Sequence, residues 1–121
     1  MFFTLTQVAI GGAIGSVLRF LALQAFVAPW GVMAINALGS FLIGLLYVPA
    51  GRLGLSPLLL TGVLGGFTTF SAFSLDAARL WNGGTVGQAA VYVAGSVLLS
   101  LMAVAAGGWL FHVLQQRWAG A

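Results

Sequence analysis

Apolar residues run along this chain in stretches too continuous for the one-sided stripe of a soluble helix, and polar residues fall singly or in short clusters between them. Turn signals divide the pattern at Ala28-Pro29-Trp30-Gly31, at Pro49-Ala50-Gly51-Arg52-Leu53-Gly54 and at Trp81-Asn82-Gly83-Gly84. The apolar spans between them cover roughly 4–28, 30–49, 56–81 and 85–116. A helix crosses the hydrocarbon core with about 20 mostly apolar residues. The pattern therefore predicts an all-α integral membrane protein with four transmembrane helices per subunit, one domain over 1–121. The last span is long enough to tilt or protrude.

Composition sharpens this picture. Of 121 residues, 61% are hydrophobic and 4% charged, namely Arg19, Arg52, Arg79, Arg117 and Asp76. So few charges cannot cover a water-soluble domain, and disorder requires the opposite balance. The net charge of +3 rests on four scattered arginines and forms no basic patch, so no nucleic-acid partner is expected. Cysteine is absent, which removes disulfides, thiolate metal sites and a thiol nucleophile. A single histidine, His112, and a single acid argue against an enzyme, because acid–base chemistry would need distant segments to meet. No basic stretch precedes the first apolar run, so a cleaved signal peptide is not expected.

Trp30, Tyr47, Trp81, Trp109 and Trp118 fall near span ends, as interfacial aromatics do, and Tyr92 does not. Small residues recur four apart at Gly11/Gly15, Gly12/Ser16, Ser40/Gly44 and Gly62/Gly66, a spacing that lets helix backbones approach closely in lipid. Four short helices enclose little space, and a homo-oligomer is the natural route to a larger polar interior. Four spans put both termini and Arg52 on one side, with Arg117; Arg79 lies at the other end and Arg19 leans towards it. Two arginines against two give the positive-inside rule little to read. Insertion in both orientations, allowing an antiparallel dimer, and a single weakly biased orientation both fit.

Each span carries polar groups that need a reason. Arg19, inside span 1, must face water, a polar partner or an anion, because a buried arginine costs about 2.5–3.5 kcal/mol even on insertion scales. It serves either as a snorkelling, topology-setting residue or as an anion attractor in a wet vestibule. Asn36 and Ser40, four apart on span 2, share a face. The Asn36 amide either donates to an anion or bonds across helices. Span 3 contains Gly62-Val63-Leu64-Gly65-Gly66-Phe67-Thr68-Thr69, a poor continuous helix and a candidate for a break at mid-membrane. A break frees carbonyls that lipid tolerates only when they are buried in protein or turned to a cavity or ion. Phe70 and Phe73 share a face where helix resumes, and packing bulk is the ordinary role for such a pair. On span 4, Tyr92, Ser96 and Ser100 form a hydroxyl stripe at four-residue spacing, either a polar track or self-satisfied packing residues.

Taken together, Gly-Gly-x-x-Gly-x-x-x-Arg in span 1, Asn-x-x-Gly-Ser-Phe in span 2 and Gly-Phe-Thr-Thr-Phe-Ser-x-Phe-Ser in span 3 resemble the Fluc (CrcB) family of fluoride channels. The last motif is the specific one. The resemblance implies an antiparallel dual-topology homodimer in the cell (inner) membrane, in contact with lipid, that exports fluoride passively through two pores lined by both subunits. It implies that Phe70 and Phe73 present ring edges to fluoride. Asn36 would join them in the pore, Tyr92, Ser96 and Ser100 would form its polar track, and Arg19 would sit in the vestibule. It further implies a structural sodium ion (Na+) on the two-fold axis, held by the backbone carbonyls of Gly65 and Thr68. Ala72 stands where the family often has a hydroxyl residue, and Asp76 where glutamate is expected. The nearest rival is a small dual-topology proton-coupled multidrug exporter, which needs a membrane-embedded carboxylate. The one acid here, Asp76, lies near the end of span 3, and span 1 offers Arg19 instead. A structural subunit without transport leaves the polar stripe, the interrupted helix and the intramembrane arginine without a common cause.

Overall fold

A computed structural model describes residues 1–119. It is all-helical, and four helices are long and apolar enough to cross a membrane. The first two are α1 (Phe2–Gln24) and α2 (Trp30–Arg52). The third span, Pro57–Asn82, starts with π-wound turns over Pro57–Leu64 that continue into an α-helical turn, Gly65–Phe67; these two pieces, 57–67, are α3. The span then resumes as α4 (Phe70–Asn82), and α5 (Val86–Ala119) closes the chain. Pro57 sits in the first turn of α3, where its missing N–H leaves no bond unmade.

Several boundaries differ from the sequence expectation, two of them next to prolines. α1 stops at Gln24, short of 28, where the Ala25 N–H turns to the Ala22 carbonyl, and Pro29 then serves as the cap of α2. α2 passes through Pro49 to Arg52. A proline in the last turn forfeits one bond, and its own carbonyl still accepts from the Leu53 N–H at 3.1 Å. The links between α2 and α3 and between α4 and α5 use Gly54 and Gly84 at φ 69° and 79°, the left-handed region that glycine enters without a Cβ clash.

The helices associate mainly as two pairs, α1 with α3 and α2 with α5, and α4 lies against α5. Close backbone approach makes both pairs. A Cβ on Gly15 would overlap the Val63 carbonyl of α3, and a Cβ on Gly107 would overlap the Phe41 carbonyl of α2. In lipid, where apolar side chains gain nothing by leaving their solvent, this tight packing supplies the association energy. Gly11, Gly15, Gly62 and Gly66 of the four-residue pattern thus serve contacts within one chain, whereas a Cβ on Gly12 would meet open space. Around the junction of α2, α4 and α5, Val32, Phe73 and Tyr92 form a buried cluster, with Leu23 and Leu80 against it.

The remaining surface is overwhelmingly apolar, from Phe3, Ile10 and Phe20 on α1 to Leu98, Leu101 and Met102 on α5. Such a surface belongs in hydrocarbon, and the protein is a multi-pass membrane protein. Trp30, Trp81, Trp109 and Trp118 are all exposed, as interfacial anchors must be, and Trp30 also meets Tyr92 in a T-shaped contact at 6.0 Å. With its amide turned so that the oxygen faces α2, Gln115 accepts from Arg52 Nη1 at 3.0 Å and Nη2 at 3.1 Å, tying the ends of α2 and α5 together.

Candidate functional site

Between Phe67 and Phe70 the backbone leaves the helical region at both residues. Thr68 has φ −81°, ψ 157° and Thr69 has φ −152°, ψ 115°. Local chemistry favours the departure. The β-branched threonines follow Gly65 and Gly66, and Thr69 is a good helix cap, its Oγ1 accepting from the Ala72 N–H at 3.2 Å to start α4. The Thr68 hydroxyl turns back to the Leu64 carbonyl at 3.0 Å, which the Thr68 N–H also reaches.

Side chains from two other helices meet the backbone groups that this turn leaves without helical bonds. Asn36 on α2 binds Thr69 twice: Oδ1 accepts from the Thr69 N–H at 2.8 Å, and Nδ2 donates to the Thr69 carbonyl at 3.0 Å. Arg19 on α1 donates from Nη1 to the Thr68 carbonyl at 3.1 Å. The two readings of Asn36 left open above are thus partly joined, for the amide bonds across helices and its residue also lines a cavity.

That cavity is an open groove of about 330 Å³ lined by Asn36, Ser40, Thr68, Thr69, Phe70, Phe73, Ser96 and Ser100, together with the apolar Ile43, Val97 and Leu101. Phe70 and Phe73 lie side by side, ring centroids 5.2 Å apart and planes tilted by 43°. Their environments differ: Phe73 is 8% exposed and Phe70 76%. On its other side Phe73 packs on Tyr92, 5.5 Å away with a 31° tilt. The oxygens of Tyr92 and Ser96 are fully buried and have no hydrogen-bond partner among the described residues. A buried hydroxyl left unpaired costs about 1–3 kcal/mol.

The fold therefore gathers Asn36, Phe70, Phe73, Ser96 and Ser100 on one groove and sets Tyr92 behind Phe73 rather than in the lining. Arg19 does not line the groove and reaches only the back of the turn. Gly65 is exposed beside it, and a Cβ there would touch only the Leu60 carbonyl, at 3.6 Å. Thr69 and Ser40 line the same groove without having stood among the expected site residues. The signal for Thr69 was present: a threonine directly before a new helical segment is a cap. Asp76 is buried on α4 and pairs with Arg79 at 3.6 Å, away from the groove and beside a second cavity of about 240 Å³.

Residues 6–108 match the protein family described as CrcB-like protein, Camphor Resistance (CrcB). A protein of Cereibacter sphaeroides named fluoride-specific ion channel FluC is 47% identical, with 91% of this chain and 99% of that protein aligned. Proteins of the same name from Agrobacterium fabrum and Jannaschia sp. are 51% and 55% identical, covering 83% and 68% of this chain and 89% and 81% of theirs.

Proposed function

The chain belongs to the CrcB-like family, and from that premise we propose that it is a fluoride channel whose pore runs along the groove beside the Thr68-Thr69 turn. One observation carries the placement. The same groove is lined by two adjacent phenylalanines and by Ser96, whose buried hydroxyl has no partner among the described residues. Fluoride is small and strongly hydrated, so it crosses an apolar interior only where new contacts replace lost water. Hydroxyl donors supply such contacts, and an aromatic ring adds to them through its positive edge. Ser96, Ser100 and the second N–H of Asn36 are the donors, and Phe70 and Phe73 offer the edges. Tyr92 holds Phe73 in place and adds its own hydroxyl behind it.

The groove is open on one side and Phe70 is mostly exposed, which favours completion by a second copy. In this reading the pore is shared in an antiparallel homodimer, which the even division of arginines between the two ends permits. The break at mid-membrane also suits a structural sodium ion. The Gly65 carbonyl would in a continuous helix accept from the Thr69 N–H, which here goes to Asn36. A carbonyl oxygen has two lone pairs, so the Thr68 oxygen retains one beside its bond from Arg19. These two carbonyls are the residues that would hold the ion, and the ion would bind two copies together by neutralising their converging oxygens.

Flux from liposomes containing the purified protein tests the function, with a fluoride electrode and a chloride electrode on parallel samples. Fluoride release with little chloride release is expected. Equal release of both, or of neither, would overturn the reading.

A further inference from the structure

Inside a membrane protein every backbone N–H and C=O needs a partner, and a two-residue turn between helices removes several at once. Of the four backbone groups on Thr68 and Thr69, only the Thr68 N–H keeps a helical bond, to Leu64. The other three are all met by side chains remote in sequence. Arg19 takes the Thr68 carbonyl, and Asn36 takes both groups of Thr69. Thr69 is 8% exposed, so water is a poor substitute there. Phe70 follows directly, and the direction in which it leaves the turn depends on the Thr69 backbone.

Building on the channel reading, we propose that Asn36 is a positioning residue for the pore, locking the Thr69 backbone from both sides and thereby fixing where Phe70 stands, with Arg19 bracing the preceding carbonyl. The side chain suits the task. An amide is planar and carries one acceptor and one donor group, so two bonds to one residue fix its plane as well as its position. Aspartate would keep the acceptor and lose the donor, and glutamine would carry both one methylene too far. Because Nδ2 has a second N–H, an amide held in this way still has a single donor to offer the groove. Anchoring the turn and meeting the permeating ion are then two uses of one side chain.

The test uses the full chain, labelled with 15N-threonine in lipid nanodiscs, and reads amide hydrogen exchange at Thr69 with Thr61 of α3 as internal reference. In Asn36→Ala, Thr69 exchange is expected to quicken by about tenfold or more relative to Thr61, the effect of freeing a buried bond. Asn36→Asp, which keeps the acceptor, is expected to hold Thr69 near the parent rate. In liposomes Asn36→Ala is expected to lose fluoride flux and its preference over chloride together. Asn36→Ser, too short to reach both Thr69 groups, is read in the same way should the alanine variant fail to assemble. Parent-like Thr69 exchange in the folded alanine or serine variant would overturn the positioning role and leave Asn36 as an ion contact alone. Faster Thr69 exchange with unchanged flux and anion preference would overturn it also. A parent that conducts no fluoride would remove the channel reading, while the exchange result would still decide whether Asn36 holds the turn.

Discussion

Phe73 lies against Tyr92 with ring centroids 5.5 Å apart, and Tyr92, wholly buried behind it, carries a hydroxyl with no partner among the described residues. The pair joins α4 to α5 and separates two functions of one aromatic side chain, since the ring packs while the oxygen waits for a donor or acceptor. Tyr92→Phe keeps the packing and removes the oxygen. The expected result is a folded protein at least as stable as the parent, because an unsatisfied buried hydroxyl costs about 1–3 kcal/mol, but with reduced fluoride flux. Thermal unfolding and liposome flux on the same preparation check both halves.

The two phenylalanines should respond differently in stability and alike in function. Phe70→Ile changes an exposed ring and is expected to leave the unfolding temperature of the subunit nearly unchanged. Phe73→Ile alters the buried cluster with Val32 and Tyr92 and is expected to cost about 1–2 kcal/mol. Both remove a ring edge while keeping an apolar side chain, so both should suppress fluoride flux strongly. Parent-like flux in both variants would show that the rings act only as bulk.

Gly65 provides a test of the dimer axis that does not depend on activity. In a single chain its Cβ position is open apart from the Leu60 carbonyl at 3.6 Å, so the Cβ that Gly65→Val adds makes only an ordinary contact in the isolated subunit. If Gly65 faces its own copy across a sodium ion, the added side chain displaces both, and cross-linking or light scattering should show loss of the dimer. Replacing sodium by a bulky organic cation should weaken the parent dimer in the same assay. A valine variant that dimerises as the parent does would place the axis elsewhere.

Insertion in both orientations is testable because the chain has no cysteine of its own. Leu53→Cys and Asn82→Cys sit at exposed positions near opposite ends of the bundle. With an impermeant thiol reagent on whole cells, each is expected to label to about half, since balanced arginines give no preferred side. Full labelling of one and none of the other would establish a single orientation.

Close packing of α2 on α5 predicts a further stability effect. Gly107→Ala places a methyl group on the Phe41 carbonyl, a rigid backbone atom that cannot move aside without shifting the helix. A loss of about 1–3 kcal/mol is expected, as for other overpacked interiors. Gly12→Ala, with open space at its Cβ, is the matched control and should be near neutral in the subunit.

The apolar runs and the turn residues between them were sufficient to determine four spans, because in hydrocarbon a chain must satisfy its backbone within helices, and length alone decides how many cross. The Gly65-Gly66-Phe67-Thr68-Thr69 stretch pointed to an irregular segment for a similarly local reason, since glycines and β-branched residues disfavour continuous helix. Which groups would satisfy that segment was not legible. Asn36 lies 33 residues from Thr69 and Arg19 lies 49 from Thr68, and no local preference encodes a bond of that separation. Only the pairing of α1 with α3 and the approach of α2 to the turn bring those side chains to the two threonines. Exposure followed the same division: Phe70 and Phe73 are equivalent in the motif, yet α5 covers one through Tyr92 and leaves the other bare. Residue types set what each group can do chemically, and tertiary packing decided which groups meet, because a hydrogen bond between helices depends on a distance that the order of residues along the chain does not specify.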